Sequence, residues 1–215
     1  AKPASLDRWP HSSMIIPLDG SENDCLQAEV HKAHKALNNA PLVILLHGLT
    51  GSANSDIVVN SAAALLGQGY DVIRLNLRAS DPVVHRCEQL SHAGKTDDVE
   101  AAVNALPEAL KKNGVVLYGF SLGGNAALKF AGEGRMASDL RGVISVSAPI
   151  NLKEAQRRIH RRRNWIYHRY LIKGMRQGVL ASKLAPRWKE AVQTVETIYD
   201  FDDQIVAPHH GFADA

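Results

Sequence analysis

Cysteine is scarce in this sequence: only Cys25 and Cys87 occur among 215 residues. They form neither a C-x-x-C pair nor any metal-ligand spacing, so no metal site is expected. They read as free thiols of a reducing compartment, although two cysteines are enough to make one bridge. Long apolar runs are also missing, which excludes a membrane-spanning helix. The first residues, Ala1-Lys2-Pro3-Ala4-Ser5, lack a signal-peptide core and an initiator Met. A cytoplasmic protein is expected, with any membrane contact peripheral. No internal repeat and no low-complexity tract interrupts the chain. The Gly-rich turn at His47-Gly48-Leu49-Thr50-Gly51-Ser52 lacks the lysine that a phosphate loop needs.

What is present suits one soluble globular domain with a sizeable core. Hydrophobic residues make up 45% of the chain and charged residues 22%, both ordinary values. The net charge of +3 conceals a segregation. Between Asn151 and Glu190 there are 12 Lys/Arg against 2 Asp/Glu, so that stretch is strongly basic and the remainder acidic.

The chain is organised around residues 114–129. Val115 to Tyr118 is a short β-branched run, the pattern of a parallel strand buried on both faces. Gly119-Phe120-Ser121-Leu122-Gly123 is G-x-S-x-G, and helix-forming residues follow. A serine that attacks a carbonyl must stand on a tight turn with no bulk beside it, and glycines two positions either side provide that. The following helix aims its positive end at the serine, so the Leu122 N–H can hold a developing oxyanion. Pro41 to Leu46 is a second buried strand. The loop after it is expected to bring a second N–H, that of Leu49, opposite Leu122. His47 resembles a catalytic base, but at the end of a buried strand it reads as a brace for the loop.

Residues 1–12 read as a poorly ordered lead-in. Met14–Pro17 and Cys25–Val30 read as a hairpin turning at Asp19-Gly20. A helix is expected over 54–67, with Ile57, Val58, Ala62, Leu65 and Leu66 inward, and a strand over 71–77. An irregular connection follows to Gly94, in which His85 and Cys87 serve loop structure. Asp97 and Asp98 suit the start of a helix running to about Lys112. A strand over 142–147 makes six. Strands alternating with helices predict an α/β fold, a mostly parallel sheet with helices on both faces. From Asn151 to about Gln177 the pattern turns helical and carries Arg157, Arg158, Arg161, Arg162 and Arg163. Trp165, Tyr167 and Tyr170 follow at spacings that suggest packing onto a core. The bland reading of the arginines is a solvated face. Attraction of anionic lipid or substrate ranks second, and nucleic acid is not expected.

These pieces carry a resemblance. Pro41–Ser52, Leu75–Arg78, His92–Gly94, Gly119–Asn125, Phe201–Asp203 and Gly211-Phe212 together resemble the YheT-like branch of the α/β-hydrolases, a group of esterases related to abhydrolase-domain lipases. The resemblance implies Ser121 as nucleophile, Leu49 and Leu122 as oxyanion donors and no cofactor. It implies a core over 1–150 and a basic helical cap over 151–215. The expected substrate is a small ester with an apolar acyl chain, and an acyltransferase would use the same acyl-enzyme. The family has glycine where Ala79 stands, so a turn needing positive φ would be strained there. Its acid and base follow the seventh and eighth strands. The chain is therefore expected to lack those strands, and to be weakly active. It would also leave Val143, Ile144 and Val146 on an open edge prone to self-association. Asp203 and His210 follow Ser121 in the right order and are the stand-in acid and base. The alternative to an enzyme is a binding protein that uses the basic segment.

Overall fold

The computed structural model describes residues 3–18, 20–135 and 138–215. Ala1 and Lys2 of the expected lead-in, and Asp19 of the expected turn, lie outside them; Gly20 has φ +78°. Six strands form one sheet: β1 His11–Pro17, β2 Cys25–His31, β3 Leu42–Leu46, β4 Val72–Asn76, β5 Val115–Phe120 and β6 Leu140–Val146. Their order is β1-β2-β4-β3-β5-β6. β2 pairs antiparallel with both β1 and β4, while β3 to β6 run parallel.

The alternation along β3 divides the interior. Leu42, Ile44 and Leu46 point into a cluster with Val99, Val103 and Phe130. Val43 and Leu45 point the other way, to Val58, Ala62 and Leu66. Helix α1 Asp56–Gly67 therefore covers one face, and α2 Asp97–Ala105 and α4 Leu122–Gly132 the other. The lead-in is not loose: Leu6 and Trp9 are buried in the α1-side cluster, and β1 begins at His11. Apolar side chains of that size gain about 1.5–3 kcal/mol each by leaving water, enough to hold a short segment down. Ile57 is exposed and does not belong to the inner stripe.

The helix expected to reach Lys112 is broken. Leu106 is extended (ψ 137°) before Pro107, and α3 Glu108–Lys111 restarts beyond it. The ring of a proline crowds a helical residue before it, which accounts for the break. Asp98 was expected merely to suit a helix start, but it is buried and bonded to Arg78.

After β6 the chain is helical: α5 Leu152–Ile159, α6 Trp165–Ala181, α7 Ala185–Thr194, α8 Ile198–Phe201 and α9 Ala207–His210, with a π-helical turn at Asp202–Val206. The expected single helix over 151–177 is two. Arg161 is extended (ψ 144°), and Asn164 Nδ2 donates to Arg158 O at 2.7 Å to close the end of α5. Like charges repel along a helix, and five arginines in seven residues favour the break. These helices bury their own cluster, including Leu171, Met175, Trp188 and Ile205. The aromatics go the other way: Trp165, Tyr167 and Tyr170 are exposed, contrary to the expected core packing.

Candidate active site

Three parallel strands end at one place. β3 runs into His47-Gly48-Leu49, β4 into Leu77-Arg78-Ala79, and β5 into Ser121. Sites of α/β sheets gather at these carboxyl ends. Ser121 has φ 51° and ψ −120°, a conformation that side chains rarely adopt. Its N–H donates to Val146 O at 2.9 Å, and its carbonyl accepts from Asn125 N at 3.0 Å. The turn is held between β6 and the first turn of α4.

Close approach explains the glycines. A Cβ on Gly119 would overlap Gly123 O, and one on Gly123 would lie 2.6 Å from Leu46 O. A Cβ on Gly48 would stand 3.1 Å from Ser121 Cβ and 3.7 Å from its Oγ. Gly48 therefore keeps the space beside the hydroxyl open. The sequence signal for it was only a glycine-rich loop after a strand.

A cavity of about 140 Å³ is lined by Gly48, Leu49, Leu122 and Gly123 from the core, the neighbours of Ser121 rather than Ser121 itself, and by Met175 and Val179 from α6. The first N–H of a helix has no partner within it, so the Leu122 N–H is available. The Leu49 N–H donates to no backbone carbonyl among the described residues. Thr50 packs beneath α6, where Gly174 leaves room: a Cβ there would come within 2.8 Å of Thr50 Cβ. Nothing in the sequence pattern indicated that contact.

His47 is a brace. It is buried, its Nδ1–H donates to Gly48 O at 2.8 Å, and its Nε2 accepts from Leu77 N at 3.3 Å. Burial lowers its pKa, which keeps it neutral. Both ring nitrogens are engaged, leaving none for Ser121. Cys25 and Cys87 are free and buried. Burial pushes the Cys87 thiol up to about 11, and its Sγ accepts from Ala79 N at 3.1 Å. Ala79 itself has φ 57°, so the turn does require the left-handed conformation.

A buried ion network supports the loop after β4. Arg78 donates to Asp98 at 2.9 and 2.6 Å and to Asp24 at 2.9 Å. All three residues are buried. This ties the β1–β2 hairpin, the loop and α2 into one unit, and pairing rather than solvent compensates the charges. The sequence placed these residues in separate elements and offered no sign that they meet.

The stand-in acid and base make no side-chain hydrogen bond to Ser121 among the described residues. Asp203 sits in the π-helical turn and His210 at the end of α9. Among the described residues no side-chain hydrogen bond joins Asp203 to His210, and His210 Nε2 is buried without a partner. The His210 ring meets that of His92, centroids 4.6 Å apart, and His92 lines the cavity. Burial, aided by His210 and Lys95, lowers the pKa of His92 to about 4. A histidine so weakly basic is a poor general base at neutral pH. Among the described residues no group of His, Cys, Asp or Glu is arranged to hold a metal.

The α/β hydrolase fold family matches residues 41–197. The chain belongs to that family. It is 30% identical to the candidate esterase YheT of Escherichia coli over 182 residues, which cover 81% of this chain and 53% of YheT. Among solved structures, an esterase from Pyrococcus furiosus superposes with TM-score 0.58 at 19% identity, over 81% of this chain and 66% of that one. A lidless serine hydrolase from Xanthomonas campestris gives TM-score 0.54 at 21% identity, over 71% and 66%. At these identities the two structures share the fold alone. The chain thus spans about half the length of YheT. Within this hydrolase fold, Ser121 occupies the strand-to-helix turn at the centre of the parallel strands.

Proposed function

We propose that this chain carries the nucleophile and oxyanion half of a serine hydrolase acting on carboxylic esters. Ser121 Oγ would bond to the ester carbonyl carbon, and the alkoxide would leave with the serine proton. Water would then release the acid from the acyl-enzyme. The N–H groups of Leu49 and Leu122 would hold the oxyanion in both steps; one such donor is worth about 3–4 kcal/mol. Residues 151–215 would act as a cap over the acyl pocket. The single observation that carries the reading is the strained turn at Ser121, whose neighbours Gly48 and Leu122 line a mostly apolar cavity. A cavity near 150 Å³ has about the room a benzene-sized group needs. Short acyl or aryl esters are therefore the expected class. An acyltransferase would differ only in the acceptor.

Without a hydrogen-bonded base, Ser121 is a weak nucleophile, and slow reaction is expected of this chain alone. Fluorophosphonate labelling tests this. The chain should label slowly, and Ser121→Ala not at all. Labelling that persists in Ser121→Ala, or none in a folded sample, would sink the assignment. His210→Ala should change the rate little; a loss of about 100-fold or more would make His210 the base.

A further inference from the structure

The outward face of α5 and α6 combines exposed positive charge with exposed apolar side chains. Arg157, Arg161, Arg162, Arg163, Arg169 and Lys173 are exposed and make no ion pair with a described residue. Elsewhere exposed basic side chains without an ion pair, such as Arg8, Lys32, Arg86 and Arg141, are scattered, while Arg135 alone meets Asp97, Glu100 and Glu133. Interleaved with the unmatched charges are large apolar groups, Trp165 (53% exposed), Ile166 (69%) and Tyr170 (63%). Ile166, Arg169, Tyr170 and Lys173 follow at i, i+3, i+4 and i+7, so they share one stripe of α6. The opposite stripe, Leu171, Ile172, Met175 and Val179, is buried.

This stripe borders a groove with two unsatisfied polar atoms. His168 and Arg176 line it beside Arg169 and Lys173. His168 Nε2 and Arg176 Nε are buried without hydrogen-bond partners. Arg176 spends another nitrogen on Val195 O. Both atoms lie below the solvent-accessible surface and Glu196 also lines the groove, so the exposed cations rather than the groove carry the attraction for an anion.

We propose that this face docks on an anionic phospholipid surface, with the arginines at the phosphates and Trp165, Ile166 and Tyr170 in the interfacial layer. The combination decides between partners. A second copy of the chain would bring the same positive face against itself, and repulsion opposes that. Nucleic acid would meet the charge and the rings of Trp165 and Tyr170, but would leave Ile166, 69% exposed, without an apolar environment. An anionic bilayer accepts both charge and apolar anchors, and tryptophan and tyrosine settle at its boundary. Docking does not depend on turnover, so it stands or falls apart from the esterase reading.

Cosedimentation with vesicles tests it. Vesicles of phosphatidylcholine with about one-third phosphatidylglycerol should bind the chain at least tenfold better than phosphatidylcholine alone, because each basic residue near such a surface contributes about fivefold. Raising salt from about 0.05 M to about 0.5 M should remove most of the binding. Arg162→Glu with Arg163→Glu should weaken it at least tenfold, with circular dichroism unchanged. Trp165 supplies a readout needing no variant. Trp9 and Trp188 are buried, so brominated phosphatidylglycerol in the vesicles should quench the Trp165 emission alone. Equal binding to neutral vesicles, no quenching, or unchanged binding by the charge-reversed variant would each overturn the proposal. Dimers without lipid that the same double variant dissolves would overturn it too.

Discussion

β3 and β4 bury all ten of their residues, whereas α5 buries none. Within the sheet even charges are internal: Arg74 is buried on β4, donating to Ala53 O at 2.6 Å and to Asn54 Oδ1 at 3.0 Å. The arginines of α5 and the segment after it face solvent. The same residue type thus serves two ends. In the core an arginine is a fastener whose value lies in its partners; on the helical segment Arg157, Arg161, Arg162, Arg163 and Arg169 are unmatched charge directed outward. Stability should therefore be sensitive in the first region and tolerant in the second.

Arg78→Ala should break this comparison most forcefully. It strands Asp24 and Asp98 as buried charges, and should cost about 3–5 kcal/mol in urea unfolding. A loss like that of a surface change would mean the core arginines are not fasteners. Gly174→Val should push α6 from Thr50 and cost about 1–3 kcal/mol by overpacking. Hydrogen exchange should show the loss in α6 and α7 before β3 or β4. If strand amides loosen equally, the two regions unfold as one.

Titration sharpens the contrast. Burial pushes the Asp202 carboxyl up to about 6. The folded form then holds a proton that the unfolded chain releases near pH 4. The stabilising contribution is complete below pH 4 and is lost as pH rises through about 6, by up to about 3 kcal/mol. Asp202→Asn should remove this slope, so the variant's stability minus the parent's should rise over that window. An unchanged slope would place the carboxyl in water.

Ser121→Gly should gain about 1 kcal/mol, since glycine accepts φ 51° without strain, and Ala79→Gly should gain similarly at φ 57°. Melting temperatures of both variants check this; no gain would mean the turns are relaxed. Arg162→Ala, the smallest change, should stay within about 0.5 kcal/mol of the parent.

Much of the sheet was legible, because each strand is a short apolar run and each turn carries glycine. The Ser121 turn was legible for the same reason: two glycines at fixed spacing mark a close approach that the structure contains. His47 was readable as a brace from its position at a strand end. The helical segment was read less well. Trp165 and Tyr170 have the spacing of a packed stripe, but spacing does not say which stripe faces inward. Cluster packing chose Leu171, Ile172 and Met175 instead. The break at Leu106 has its local signal in Pro107, which outweighs the helical periodicity around it.

By itself the sequence determined the order of strands and helices, the serine at the turn and the basic character of residues 151–190. Those follow from periodicity, glycine spacing and charge, which are local. Only the tertiary structure decided that Arg78 meets Asp24 and Asp98, that Gly48 adjoins Ser121, and that Gly174 rests on Thr50. Each of these joins residues from distant parts of the chain, and their proximity is set by packing that no short window records. The order of Asp203 and His210 along the chain matches a triad, yet among the described residues no side-chain hydrogen bond joins either to Ser121.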